Sequence, residues 1–377
     1  INASPNFEAK SSYSVRLRTT DQGALIYDKP FTITITNVNE APGDIALSAS
    51  AINENVTANT TVGTLSSTDV DAGSSFTYTL VSGTGDDDNA SFNISGSDLR
   101  ITASPNFETK SSYSVRVSTS DGALTFEKVF AVTVNDLNEA PSDIDISASS
   151  IDENVPVNSV VGTLNSTDAD AGSSFTYTLV SGTGDDDNAS FNISGSDLRI
   201  TASPNFETKS SYSVRVSTSD GALTFEKVFA VTVNDLNEAP SDIDISASSI
   251  DENVPANSLV GTLSSTDVDA GSSFTYTLVA GAGDDDNASF NISGSDLIIT
   301  ASPDFETKSS YSVRVSTSDG VLTFEKVFEI TINDIHEAAS FITLSASSID
   351  ENAVANSIVG TLSVTDPDIW NTYTYSL

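Results

Sequence analysis

Carboxylates recur at five fixed places in this sequence, and their types and spacing suit the binding of hard divalent cations. One set is Glu54, Glu153, Glu252 and Glu351, each inside an Asn-Glu-Asn or Asp-Glu-Asn triplet. A second is Glu8, Glu108, Glu207 and Glu306, each behind an Asn-Phe or Asp-Phe pair. A third lies in Asp136-Leu137-Asn138-Glu139 and Asp235-Leu236-Asn237-Glu238, with the variants Asn37-Val38-Asn39-Glu40 and Asp334-Ile335-His336-Glu337. The Asp-x-Asp pairs Asp69/Asp71, Asp168/Asp170, Asp267/Asp269 and Asp366/Asp368 form a fourth, and Asp121, Asp220 and Asp319, each followed by Gly, a fifth. If such groups met in one cleft they would repel strongly, and about six to eight oxygens around an ion is the habit of Ca²⁺ rather than Mg²⁺.

Other chemistry fits poorly. The chain of 377 residues has 53 acidic against 15 basic side chains and a formal net charge of −38, which disfavours nucleic acid as a partner. It has no Cys, so disulfides, thiolate nucleophiles and Cys-ligated metals are excluded. The one His, His336, stands in a divergent linker, whereas a catalytic triad would need a His in every active repeat. Paired carboxylates can hydrolyse glycosides, but these fall where domains should meet. Asp168-Ala169-Asp170-Ala171-Gly172 lacks the later ligands of an EF-hand loop. The runs beginning at Asp86, Asp185 and Asp284 read as solvated loops rather than lateral metal sites. No apolar run is long enough for a transmembrane helix, and no repeated exposed aromatic platform is evident, Trp370 being the only Trp. An enzyme is therefore not expected.

The elements that must position the carboxylates come from an internal period. Ser-Ser-Phe-Thr-Tyr-Thr-Leu begins at Ser74, Ser173 and Ser272, a spacing of 99 residues. This divides the chain into a partial repeat over 1–42, whole repeats over 43–141, 142–240 and 241–339, and a partial repeat over 340–377, as in an excerpt from a longer array. Within 142–240, Phe175/Tyr177/Leu179, Tyr212/Val214/Val216 and Phe229/Val231/Val233 alternate with polar residues, the period of half-buried antiparallel strands. Seven strands are expected, around Ile144–Ser149, Val160–Ser166, Phe175–Val180, Phe191–Ile193, Leu198–Thr201, Tyr212–Ser219 and Thr224–Asn234, with a bulge at Glu226-Lys227. The fold class is all-β: tandem seven-stranded Greek-key, Ig-like sandwiches in a linear rod. Strand ends gather at two poles, so the first three carboxylate sets should sit at the bottom of one sandwich and the last two at the top of the next. The Asn-Glu-Ala-Pro linkers are short and without a flexible spacer, which restricts rotation between neighbours.

Taken together these motifs resemble the cadherin repeat, in particular the bacterial cadherin-like form of large surface adhesins. The resemblance spans the whole chain and implies Ca²⁺ at each junction, about two to three ions. It assigns Glu54, Glu108, Asp136, Asn138, Glu139, Asp168, Asp170 and Asp220 to one junction, and Glu153, Glu207, Asp235, Asn237, Glu238, Asp267, Asp269 and Asp319 to the next. The junction before these takes Glu8, Asn39, Glu40, Asp69, Asp71 and Asp121, and the one after them takes Glu252, Asp304, Glu306, Asp334, Glu337, Asp366 and Asp368. Departures matter. Asn6, Asn106 and Asn205 stand where the family carries Asp, restored only at Asp304, so the outermost ion is expected to be weak or missing at the Asn junctions. Asn37 replaces a linker Asp, and the last linker has His336 for Asn and no Pro.

The expected function is a calcium-rigidified stalk or filament segment of a secreted or cell-surface adhesin. The alternative is a module whose repeats themselves contact carbohydrate or other copies of the chain. Partners follow accordingly: Ca²⁺, neighbouring repeats, and other copies or surface polysaccharide, with no nucleic acid and no membrane segment.

Overall fold

A computed structural model describes residues 1–368 and 372–377; Trp370 lies outside them. Within 142–240 the strands are β1 (Asp143–Ile146), β2 (Ser150–Asp152), β3 (Val160–Thr167), β4 (Thr176–Leu179), β5 (Phe191–Ser194), β6 (Asp197–Ile200), β7 (Ser211–Ser219) and β8 (Thr224–Asn234). They form two four-stranded sheets, β1-β3-β6-β5 and β2-β8-β7-β4. The same two sheets recur in 43–141 and 241–339, whereas the outer segments contribute the pairs Ser12–Thr20 with Ile26–Thr34 and Phe341–Leu344 with Leu362–Thr365.

The expected first strand, Ile144–Ser149, stops at Ile146, and β2 follows it as an eighth strand where seven were expected. Small residues Ser147-Ala148-Ser149 carry the chain from one sheet to the other, so β1 and β2 pair in different sheets. β2 runs parallel to β8, with Ile151 opposite Val233 and Asp152 opposite Asn234. All other pairings in the repeat are antiparallel. The alternating apolar residues close one core, in which Ile144, Leu198, Val214, Val216 and Val231 are fully buried. The Phe191 and Tyr212 rings meet edge to face with centroids 5.4 Å apart, an arrangement aromatic quadrupoles favour.

The bulge expected at Glu226-Lys227 is absent, since β7 and β8 pair without a shift from Ser211↔Thr232 to Ser219↔Thr224. Lys227 instead takes a core-side position, packing its stem among half-buried residues while its ammonium reaches out. Nζ donates to Asp143 Oδ1 (2.8 Å) and the Ile144 carbonyl (2.7 Å), tying the last strand to the first across the two sheets. The register shift lies between Val160 and Gly162 of β3. A Cβ on Gly162 would stand 2.4 Å from the Ala148 carbonyl oxygen, so only glycine lets the crossing segment pass this closely.

Candidate metal centres

The parallel pairing of β2 and β8 does the first positioning. Both strands stop together, at Asp152 and Asn234, so Glu153 and Asp235 emerge side by side at one pole. Glu153 then turns inward and is 1 % exposed. Its Oε2 accepts the Phe206 N–H (2.9 Å) and its Oε1 the Leu236 N–H (2.7 Å). One buried carboxylate thus gathers the linker and the Asn205-Phe206-Glu207 turn. Glu54 holds Phe107 and Leu137 in this way, and Glu252 holds Phe305 and Ile335. Each oxygen keeps a lone pair for a further partner.

The next repeat delivers its carboxylates to the same place. The backbone N–H of Glu238 donates to Asp269 Oδ2 (2.9 Å), and Asn237 Nδ2 donates to Asp319 Oδ2 (2.9 Å). The preceding junction repeats the pattern with Glu139 on Asp170 and Asn138 on Asp220, both at 2.8 Å. Two groups of carboxylate oxygens result at each of these junctions, Glu153/Glu207/Glu238 with Glu207/Asp235/Asp269, and Glu54/Glu108/Glu139 with Glu108/Asp136/Asp170. Within each group the ligand atoms lie within 4.8 Å of one another, and Glu207 or Glu108 belongs to both groups of its junction.

The electrostatics of the two sides differ. Burial pushes the Asp235 carboxyl above its usual range, and the charges of Asp269 and Glu153 add to it. Asp136 is raised in the same way by burial, Asp170 and Glu54. Burial also raises Glu238; a hydrogen bond from Asn154 pulls the other way, and Glu153, Asp269 and Glu207 push further up. Asp220 is held below its usual range by the Ala222 and Leu223 N–H groups and then by Asn138. The linker carboxylates are thus crowded acceptors short of donors.

That shortage can be located atom by atom. Among the described residues, Asp69 Oδ2, Glu139 Oε2, Asp168 Oδ2, Glu238 Oε2, Asp267 Oδ2 and Glu337 Oε2 are buried without a hydrogen-bond donor. A buried carboxylate oxygen with no partner is costly. The donor set is all oxygen, which fits Ca²⁺ and offers nothing to metals that prefer sulfur.

The outer junctions vary this plan. At the first, Glu8, Glu40 and Asp71 form a group, but Asn37 donates its amide to Asp71 Oδ1 (2.9 Å) where the next junction sets Asp136 against Asp170. At the last, His336 Nδ1 lies 2.7 Å from Asp368 Oδ2, and Glu337 N–H donates to the same oxygen (2.9 Å). Asn106, Asn205 and Asp304 each spend Oδ1 on their own turn, accepting the N–H of Thr109, Thr208 and Thr307. The Asp185 loop is internally satisfied: Asp185 accepts the Gly182 N–H, and Asp187 pairs with Lys209 and the Ser213 N–H.

Sequence reasoning passed over one participant. Asn154 sits at φ +60° and donates Nδ2 to Glu238 Oε1; Asn55 and Asn253 do the same for Glu139 and Glu337. Asn tolerates this left-handed conformation better than most residues, so its recurrence after Glu54, Glu153 and Glu252 was the available signal.

A scan against protein-family models finds no match. Human protocadherin Fat 4 is 28 % identical over 258 residues, 65 % of this chain and 5 % of that protein. The mouse cadherin EGF LAG seven-pass G-type receptor 2 is 25 % identical over 380 residues, 95 % of this chain and 13 % of its own length. The chain therefore spans only a small part of the curated relatives it matches. Among solved structures, the protocadherin GammaB4 extracellular domain superposes with a TM-score of 0.63 at 18 % identity, covering 98 % of this chain and 63 % of that one. Mouse cadherin-23 EC22-24 gives 0.54 at 21 % identity, covering 76 % and 96 %. In sequence this chain is similar to segments of these cadherin-type proteins, and its fold is that of tandem cadherin domains.

Proposed function

We propose that the chain is a calcium-rigidified segment of an extracellular stalk, part of a surface adhesin of the bacterial cadherin-like kind, and that it acts mechanically rather than catalytically. Segments 43–141, 142–240 and 241–339 serve as the rod's units. Ca²⁺ at each junction is held by the linker carboxylates, the buried Glu and the shared Glu of one repeat together with the Asp-x-Asp of the next. The single observation that carries this reading is the set of buried carboxylate oxygens without donors at successive junctions, Glu139 Oε2 and Asp168 Oδ2 at one and Glu238 Oε2 and Asp267 Oδ2 at the next. The ion supplies the positive charge these oxygens lack and makes rotation about the linker costly. Near-identity of the repeats supports a spacer, because distinct ligands would call for distinct surfaces. Calorimetric titration of the full chain with Ca²⁺ tests the reading. Saturable uptake of more than one ion per junction is expected; heats no larger than those of dilution would overturn it.

A further inference from the structure

The core of each whole repeat holds one polar pair where apolar residues would pack as well. Ser166 Oγ donates to Thr218 Oγ1 at 2.9 Å, with Thr218 fully buried and Ser166 8 % exposed. Ser67 with Thr119 (3.0 Å) and Ser265 with Thr317 (2.9 Å) repeat the contact. The two residues belong to facing sheets, Ser166 to β3 and Thr218 to β7, so this hydrogen bond spans the sandwich. It also lies at one end of it. Ser166-Thr167-Asp168 closes β3 and Thr218-Ser219-Asp220 closes β7, each hydroxyl two residues before a junction aspartate. Side chains two apart along a strand share a face, so Asp168 and Asp220 leave their strands on the inward parity of the pair. The gap between the sheets at this pole is therefore also the gap between the loops carrying Asp168/Asp170 and Asp220. Those loops meet the preceding linker through Glu139 N–H to Asp170 and Asn138 Nδ2 to Asp220.

We propose that the Ser–Thr pair is a positioning clamp, which holds the two sheets at the separation and register that let both aspartate loops close on one cation-loaded linker. A dispersive core contact tolerates small slides, whereas a hydrogen bond fixes distance and direction together. The last repeat departs here as well. Val364 occupies the Ser position in Ser363-Val364-Thr365-Asp366, beneath the linker that has His336 for Asn and Ala339 for Pro. The junction with the most altered linker thus also lacks the serine of the clamp. This inference rests on the calcium reading above.

The test uses the full chain with Ser67, Ser166 and Ser265 changed to Ala and Thr119, Thr218 and Thr317 changed to Val, a near-isosteric removal of the hydroxyls. Melting in chelator should be unchanged or higher, while Ca²⁺ affinity at the affected junctions falls by about tenfold, the usual effect of losing a residue that orients ligands. A companion chain with Thr119, Thr218 and Thr317 changed to Ser keeps the bond but loses three methyls. It should melt lower in chelator and bind Ca²⁺ like the parent. Unaltered Ca²⁺ affinity in the hydroxyl-free chain would overturn the clamp. So would its failure to fold, or an equal loss of affinity in the serine chain, which would make packing the cause. A parent that takes up no Ca²⁺ would instead refute the calcium reading itself, so the two failures are distinguishable.

Discussion

Glu153 and Leu236 are 83 residues apart in sequence, yet the buried carboxylate of the first accepts the backbone N–H of the second at 2.7 Å. The same Glu holds Phe206 N–H with its other oxygen, so one side chain fixes the bottom pole and remains available as a ligand. Glu153→Gln should therefore do two things. It sets an amide NH₂ against one of the two buried backbone N–H donors, of Phe206 or Leu236, leaving that donor without an acceptor at a cost of about 1–3 kcal/mol of stability, and it lowers Ca²⁺ uptake at the junction between 142–240 and 241–339. Thermal melting and calorimetric titration read the two effects separately.

Asn37 and Asp136 occupy equivalent linker positions with opposite consequences. The Asn37 amide donates to Asp71, whereas Asp136 is a carboxylate beside Asp170 whose ionisation burial resists. Asn37→Asp should increase Ca²⁺ uptake at the first junction and lower cohesion there in chelator. Asp136→Asn should do the reverse at the second. A matched pair of titrations checks this, and a lack of opposite signs would contradict it.

Acid should act in opposite directions with and without the ion. Asp136, Glu139, Asp235, Glu238, Glu306 and Glu337 are all raised, with burial the leading cause except at Glu337, where the Asn253 hydrogen bond opposes burial and the charges of Glu252 and Asp368. A carboxyl with a raised folded-state pKa binds its proton more tightly when folded. Stability in chelator therefore rises as pH falls from neutral toward the ordinary carboxylate range, and is lost as pH climbs back through the folded-state pKa. Below that range Asp121, Asp220 and Asp319, whose pKa is depressed, withdraw their contribution and reverse the trend. With Ca²⁺ bound, protons compete for the same oxygens, so acidification lowers stability throughout. Scanning calorimetry at about pH 7 and about pH 5.5, with and without chelator, should show the crossing.

Gly162→Ala should be severe for a surface-sized change. The new methyl meets the Ala148 carbonyl oxygen and backbone nitrogen at 2.4 and 2.9 Å, and the crossing segment must move. A loss of about 1–3 kcal/mol is expected from overpacking of this kind, read as a lower melting temperature in both chelator and Ca²⁺.

Much of this was legible because it depends on period. Tyr212/Val214/Val216 and Phe229/Val231/Val233 announce β7 and β8, and the recurrence of Asp-x-Asp and Asp-Leu-Asn-Glu announces what meets at the poles. What stayed hidden depends on tertiary partners. Lys227 breaks the hydrophobic alternation without breaking the strand, because a long aliphatic stem can lie in a half-buried slot while Asp143 receives its ammonium. The Val160–Gly162 shift and the change of sheet at Ser147-Ala148-Ser149 follow from a backbone approach that no local pattern encodes. Ser166 and Thr218 continue the inward parity of Leu164 and Val216, but nothing local tells that their hydroxyls meet across the two sheets.

The stiff stalk is tested most directly by small-angle scattering of the full chain in Ca²⁺ and again after chelation. With the ion, one narrow population with a long maximum dimension is predicted. Chelation should shorten the average dimension and broaden the distribution, as repeats swing about Asn-Glu-Ala-Pro linkers whose carboxylates no longer share a cation. Superimposable curves under the two conditions would contradict the account.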